Sequence, residues 1–107
     1  MQDEASLIER ALTQRDNAAF SSLVELHQGK IRAFLVRLSK SYDLADDLAQ
    51  ETFISAYRRL STFAGKGSFQ GWLFRIAYNC FMQHIRSSKR RTEVTDEFSA
   101  QHEILED

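Results

Sequence analysis

The chain contains no proline, and its four glycines stand at Gly29, Gly65, Gly67 and Gly71. These two residue types punctuate a backbone, so a chain this poor in them has few places to reverse tightly. An architecture of short strands needs many such turns, whereas long helices need few. The length of 107 residues suits one compact domain that can bury a core without disulfides or a structural metal.

Apolar periodicity supports four helices. The first runs roughly from Glu4 to Gln14, with Leu7, Ile8, Ala11 and Leu12 on one face. The second starts near Asn17, the expected N-cap. Phe20, Leu23, Val24, Leu26, Ile31, Phe34, Leu35 and Leu38 form its stripe, and it ends in Ser39-Lys40-Ser41. The third starts at Asp43 as N-cap and runs to about Leu60. Leu44, Leu48, Thr52, Ala56 and Leu60 recur every four residues, and Ala45, Phe53 and Tyr57 widen that stripe. Ala64-Gly65-Lys66-Gly67 then breaks the pattern, because glycine permits positive φ. Ser68 is placed to cap a fourth helix reaching about Ser88. No helical stripe follows Arg91, and residues 92–107 read as an acidic linker or tail. The expected fold is all-α: a small bundle of about four helices over residues 1–91.

Several function classes lose support at this stage. No apolar run approaches a membrane span and no signal peptide opens the chain, so membrane insertion is not expected. Cys80 is the only cysteine, and a reducing cytoplasm is the default location for such a chain. His27, His84 and His102 lie far apart, so no metal site is expected. Paired carboxylates and a nucleophile with its base are not recognisable, and Gly65-Lys66-Gly67 is too short for a phosphate loop. The chain is expected to be neither an enzyme nor a cofactor binder.

The net charge of −1 conceals a strong asymmetry. Residues 65–91 carry Lys66, Arg75, Arg86, Lys89, Arg90 and Arg91 and no acid, while residues 92–107 carry six acids and no base. Such a block suits a surface that meets a polyanion, and it suits a solvated helix end equally well. At about 100° per residue the fourth helix sorts into two faces. Phe69, Leu73, Ile76, Ala77, Cys80 and His84 form the core side. Trp72, Arg75, Asn79, Gln83, Arg86 and Arg90 form a second stripe. Arginine pairs with phosphate, amides pair with base edges, and an indole stacks on an unpaired base. Trp72 suits the core as well as it suits stacking, and Asn79 is also an ordinary solvated residue. On the third helix, Asp43, Asp46, Asp47, Gln50, Glu51, Ile54 and Arg58 make an exposed face. Its acids favour the helix dipole and are equally compatible with protein docking.

The string Asp43-Leu-Ala-Asp-Asp-Leu-Ala-Gln-Glu-Thr-Phe-Ile-Ser-Ala-Tyr-Arg-Arg-Leu60 resembles the polymerase-binding helix of bacterial sigma factors. The string Ser68-Phe-Gln-Gly-Trp-Leu-Phe-Arg-Ile-Ala-Tyr-Asn79 resembles the helix that follows it, which reads the −10 promoter element. Together they resemble region 2 of the extracytoplasmic-function group, over residues 1 to about 91. The resemblance implies a transcription initiation module that melts the −10 element and captures bases of the non-template strand. It implies docking on the clamp helices of the largest subunit of core RNA polymerase through Asp47, Gln50 and Glu51, with Ile54 and Arg58 beside them. It places the flipped-base pocket at the loop Phe63–Ser68, including Lys66, with Asn79 nearby. Trp72 and Arg75 then face the melted strand, and Gln83, Arg86 and Arg90 continue the DNA stripe. An anti-sigma factor is a further expected partner, and sequestration by one without independent DNA reading is the alternative function. Two departures stand out. The second domain of the family, a reader of the −35 element, is absent, so the chain is expected to be an excerpt. His27 sits where the family often has an aromatic residue.

Overall fold

The computed structural model describes residues 3–63 and 67–99, with side chains placed through Arg90. Helix α1 spans Glu4–Gln14, α2 spans Asn17–Ser39, α3 spans Tyr42–Arg58 and α4 spans Phe69–Ser99. One 3-10 turn, Leu60–Thr62, follows α3. No strand occurs among the described residues, and the all-α bundle expected from the periodicity is what forms.

Each helix begins on a side-chain cap. The Asp3 carboxylate accepts from the Ser6 N–H at 2.9 Å. Asp16, not the expected Asn17, caps α2 by accepting from the Ala19 N–H at 3.1 Å. Its second oxygen accepts from the Arg10 guanidinium at 2.9 Å, so one carboxylate both starts α2 and ties back α1. The backbone N–H of Ala19 above all, with Arg10 next, holds the Asp16 carboxyl below its usual range. Asn17 is left free to accept from the Tyr57 hydroxyl at 2.8 Å. Ser41, not the expected Asp43, caps α3 through the Leu44 N–H at 3.1 Å. Asp43 lies in the first turn, where its charge favours the dipole. Arg15 (φ 51) and Lys40 (φ 60) take left-handed conformations that end α1 and α2.

The core draws on all four helices. Leu7 and Ala11 come from α1, Leu23, Ile31 and Leu35 from α2, Leu48 from α3, and Phe69, Leu73 and Ile76 from α4. Each large apolar side chain contributes roughly 1.5–3 kcal/mol on burial. Ala45 and Ala56 on α3 are fully buried small residues, which lets α2 and α4 approach it closely. Thr52 is buried too, and its hydroxyl donates to the Leu48 carbonyl at 2.8 Å, so it leaves no unpaired polar group. Two residues read into the apolar stripes lie outside the core: Leu26 is 56% exposed and Tyr57 is 49% exposed.

The fourth helix does not stop near Ser88. It continues through Ser99, across much of the segment read as tail. No glycine or proline follows Gly71, and an established helix propagates until something stops it. Residues 100–107, the rest of the expected tail, lie outside the described residues. Among the described residues no helix is long and apolar enough to cross a membrane.

Candidate nucleic-acid interface

Helix α4 begins on a fixed frame. The Ser68 hydroxyl accepts from the Gly71 N–H at 2.8 Å, as the cap expected there. Gly67 precedes it at φ 75, a conformation that favours glycine. A Cβ at Gly71 would stand 2.9 Å from the Ser68 oxygen, so the capping geometry itself calls for glycine. Three rings converge behind this turn. Phe63, Phe69 and Trp72 stand in a triangle with every centroid pair at 5.4 Å. Phe69 is buried and Trp72 is half-buried. One part of the indole packs on the phenylalanines, and the remainder is open to solvent. Phe63, expected to touch DNA, is only 8% exposed and acts as the floor of the turn. Lys66, also expected there, lies outside the described residues.

Below the triangle lies His27. It is 5% exposed, its ring centroid is 5.5 Å from that of Phe69, and neither ring nitrogen makes a hydrogen bond. Its Nε2 stands 3.4 Å from a Glu4 carboxylate oxygen without hydrogen-bond geometry. The ring thus serves as an aromatic support for α4.

From this platform the predicted stripe runs outward. Arg75, Asn79, Gln83, Arg86 and Arg90 are all exposed, and about 22 Å of helix separates the first from the last. Among the described residues none of the three arginines pairs with an acid, so their charges face solvent uncompensated. Cys80 is half-buried on the core side. Burial pushes its thiol up, against a smaller opposite effect from a hydrogen bond with Thr52. That makes it a packing residue rather than a nucleophile.

The second candidate surface belongs to α3. Asp47, Gln50, Glu51, Ile54 and Arg58 are all exposed, Ile54 at 48%. The structure divides them. Asp47, Gln50, Ile54 and Arg58 line a groove of about 1110 Å³ between α2 and α3. Glu51 is not among its lining residues, and its charge acts on Cys80 of α4. The periodicity missed the groove's other wall. Phe20 and Val24 of α2 line it, and so do Phe53 and Tyr57 of α3. Phe20 and Tyr57 meet edge to face at 5.1 Å. The surplus of apolar residues on the α3 stripe was the available signal, and it was read as core. At the groove's edge Arg32 pairs with Asp46, bridging α2 to α3. Among the described residues no cluster of His, Cys, Asp or Glu could hold a metal ion.

The sigma-70 region 2 family model matches residues 23–91. The chain belongs to the sigma-70 region 2 family. The match takes in most of α2, all of α3 and the basic part of α4. This sigma-type chain is 37% identical over 105 residues to the RNA polymerase sigma-H factor of Pseudomonas aeruginosa, covering 98% of the chain and 54% of that protein. It is 38% identical over 88 residues to the ECF RNA polymerase sigma-E factor of Haemophilus influenzae, covering 82% and 46%. The chain thus spans about half the length of the curated relatives it matches. Among solved structures it resembles an engineered region 2 of sigmaE in complex with GTAAAA, determined by NMR. The TM-score is 0.76 at 36% identity, over 84% of this chain and 93% of that one.

Proposed function

We propose that the chain is a transcription initiation module that docks on core RNA polymerase and reads one strand of a −10 promoter element. The uncompensated stripe Arg75, Asn79, Gln83, Arg86 and Arg90, starting from the Phe63–Phe69–Trp72 platform, carries this reading. A region 2 of similar fold forms a complex with GTAAAA, and this supports it. The chemistry has two parts. The arginines hold phosphates and set the register, whereas Asn79 and Gln83 offer donors and acceptors to base edges. The open part of Trp72 and the turn 63–68 receive a base that has left the stack. Extruding a base costs a few kcal/mol, which stacking and pocket contacts must offset. The α2–α3 groove takes the clamp helices of the polymerase, with Asp47, Gln50, Ile54 and Arg58 on its rim and Glu51 just outside it on the side of α3 nearer α4. An anti-sigma factor competes for this same groove. No step calls for catalysis, a metal or a cofactor.

The test is strand choice. Fluorescence anisotropy of the chain, free and bound to core polymerase, is measured with GTAAAA and with its complement. Preference for GTAAAA that Asn79→Ala weakens is the expected result. Equal binding of both strands by the polymerase-bound chain refutes strand reading and leaves the protein-docking function alone.

A further inference from the structure

The α4 stripe does not end the basic surface. Phe34 of α2 and Phe74 of α4 pack edge to face at 5.0 Å. Closer to the α4 start, His27 faces Phe69. Both residue numbers rise together between these contacts, so α2 and α4 run side by side in the same sense. On α2, Lys30 and Arg37 flank Phe34 at minus four and plus three. On α4, Gly71 and Tyr78 flank Phe74 at minus three and plus four. Residues at these spacings share a helix face, so the four line the two sides of one ridge. All four are exposed, Tyr78 at 47%, and Ala33 between Lys30 and Arg37 is exposed as well. From Leu26 to Ser39, α2 has three bases and no acid, and α4 has no acid from Phe69 to Arg91. The third base, Arg32, is engaged with Asp46 on the α3 side, whereas Lys30 and Arg37 form no ion pair among the described residues. Arg75 sits between Asn79 of the stripe and Tyr78 of the ridge, about 40° around α4 from the first and about 60° from the second.

We propose that this α2–α4 ridge is a second track for the same DNA strand, in which Lys30 and Arg37 hold phosphates of nucleotides flanking those read by α4. The inference rests on the proposed strand reading and extends it onto a helix that the motifs did not implicate. Three observations select single-stranded DNA as the occupant. The ridge carries two bases, Lys30 and Arg37, and no acid. It is continuous with the stripe through Arg75. The absent side chain of Gly71 and the small one of Ala33 let a sugar-phosphate backbone come close, while Tyr78 offers a ring to an unpaired base. Lys30 and Arg37 stand about 10 Å apart along the helix axis, so each meets its own phosphate.

The test uses the chain with two oligonucleotides, GTAAAA alone and GTAAAA embedded in a single strand with five thymines on each side, titrated across salt. Single-strand contacts contribute a slope near 0.7 per phosphate in log affinity against log salt. Lys30→Ala with Arg37→Ala is expected to lower the slope for the long strand by about 1.4 and its affinity by about tenfold at low salt. Affinity for GTAAAA alone is expected to stay within about twofold, because the hexamer reaches only the α4 stripe. Arg32→Ala is the control on the α3 side and leaves both affinities nearly unchanged. Circular dichroism verifies that every variant is folded. An unchanged slope for the long strand overturns the proposal, and so does equal weakening of both oligonucleotides or by the Arg32 control. Failure of the unaltered chain to bind the long strand at low salt overturns it too. Equal affinity for GTAAAA and its complement, with the long-strand effect intact, removes the base-reading claim and leaves the track standing.

Discussion

Ser68 separates two roles that one residue was expected to combine. Its hydroxyl caps α4 by accepting from Gly71, and its position borders the turn proposed to receive a base. Ser68→Ala removes the cap. The Gly71 N–H is exposed, so water replaces the lost partner and the cost stays at about 1 kcal/mol. For a domain of this size that lowers the melting temperature by about 4 °C. Ser68→Asp restores an acceptor and sets a negative charge at the positive end of the helix, recovering the loss and adding roughly 0.3–1 kcal/mol. The same carboxylate faces the incoming phosphates. Two unit charges about 4 Å apart in a water-like medium repel by about 1 kcal/mol, which weakens DNA binding roughly fivefold. Thermal unfolding followed by circular dichroism, beside anisotropy with GTAAAA, reads both effects. The expected pattern is a double dissociation: alanine loses stability and keeps most of its DNA affinity, and aspartate does the reverse. If aspartate melts as early as alanine, the cap assignment is wrong. If aspartate binds DNA as tightly as serine, the strand does not pass the start of α4.

Other outcomes follow from the same geometry. Asp47→Lys with Gln50→Ala should abolish most co-purification with core polymerase, and Glu51→Lys should weaken it less, because Glu51 lies outside the groove; each should cost under about 0.5 kcal/mol of stability. Full binding by the folded double variant would sink the docking assignment. Phe69→Ala should destabilise by about 3–5 kcal/mol in urea unfolding, since a buried ring touching Phe63, Trp72 and His27 disappears. Phe69→Leu, which keeps most of the volume, should cost under about 1.5 kcal/mol, and equal losses would contradict the packing described. Asp16 has a carboxyl pKa lowered from 3.8, so its contribution is full above pH 3.8 and disappears as pH falls through the lower folded value. Asp16→Asn should therefore match the parent chain in strong acid and be the less stable one at neutral pH. A constant difference across that range would exclude the Asp16 carboxylate charge, held by the Ala19 N–H above all and by Arg10 next, as its source.

What the sequence revealed and what it hid divide along physical lines. The helices were legible because buried stripes repeat at the helical period, and Leu23, Ile31, Leu35, Leu48 and Leu73 all lie where the stripes put them. The caps of α2 and α3 were misplaced by one and two residues. Asp16 stands next to Asn17, and Ser41 stands two before Asp43, so several competent caps crowd each junction. Arg10 favours Asp16 from the end of another helix, a term absent from local sequence. Periodicity also exaggerated the core. It shows which side of a helix is apolar, but not how far around that side the neighbours reach, which left Tyr57 and Leu26 exposed. The end of α4 was misjudged because a change of charge is not a stop signal. On the candidate site, the stripe from Arg75 to Arg90 was visible in spacing alone. The buried position of Phe63 was not, because it depends on Phe69 and Trp72 closing over it.

The bundle also determines how two ligands share one small domain. Helix α3 contributes Ala45, Leu48, Thr52 and Ala56 to the core, with α2 on one flank and α4 on the other. The groove residues Asp47, Gln50, Ile54 and Arg58 therefore open toward α2, while the α4 stripe points away from that helix. No hydrogen bond or ion pair links the two surfaces among the described residues. Substitutions without shared partners add to within about 0.3–0.5 kcal/mol. Asp47→Lys with Gln50→Ala, combined with Arg86→Ala, should accordingly show additive unfolding free energies in the isolated chain. On polymerase the same combination should depart from additivity in DNA affinity, because the strand is then held by two bodies whose relative position the groove sets. Non-additive stability in the isolated chain would reveal a coupling through α3 that the packing does not contain. Strict additivity in both states would mean that polymerase docking and strand reading are independent, and that the bundle carries the two surfaces without aligning them.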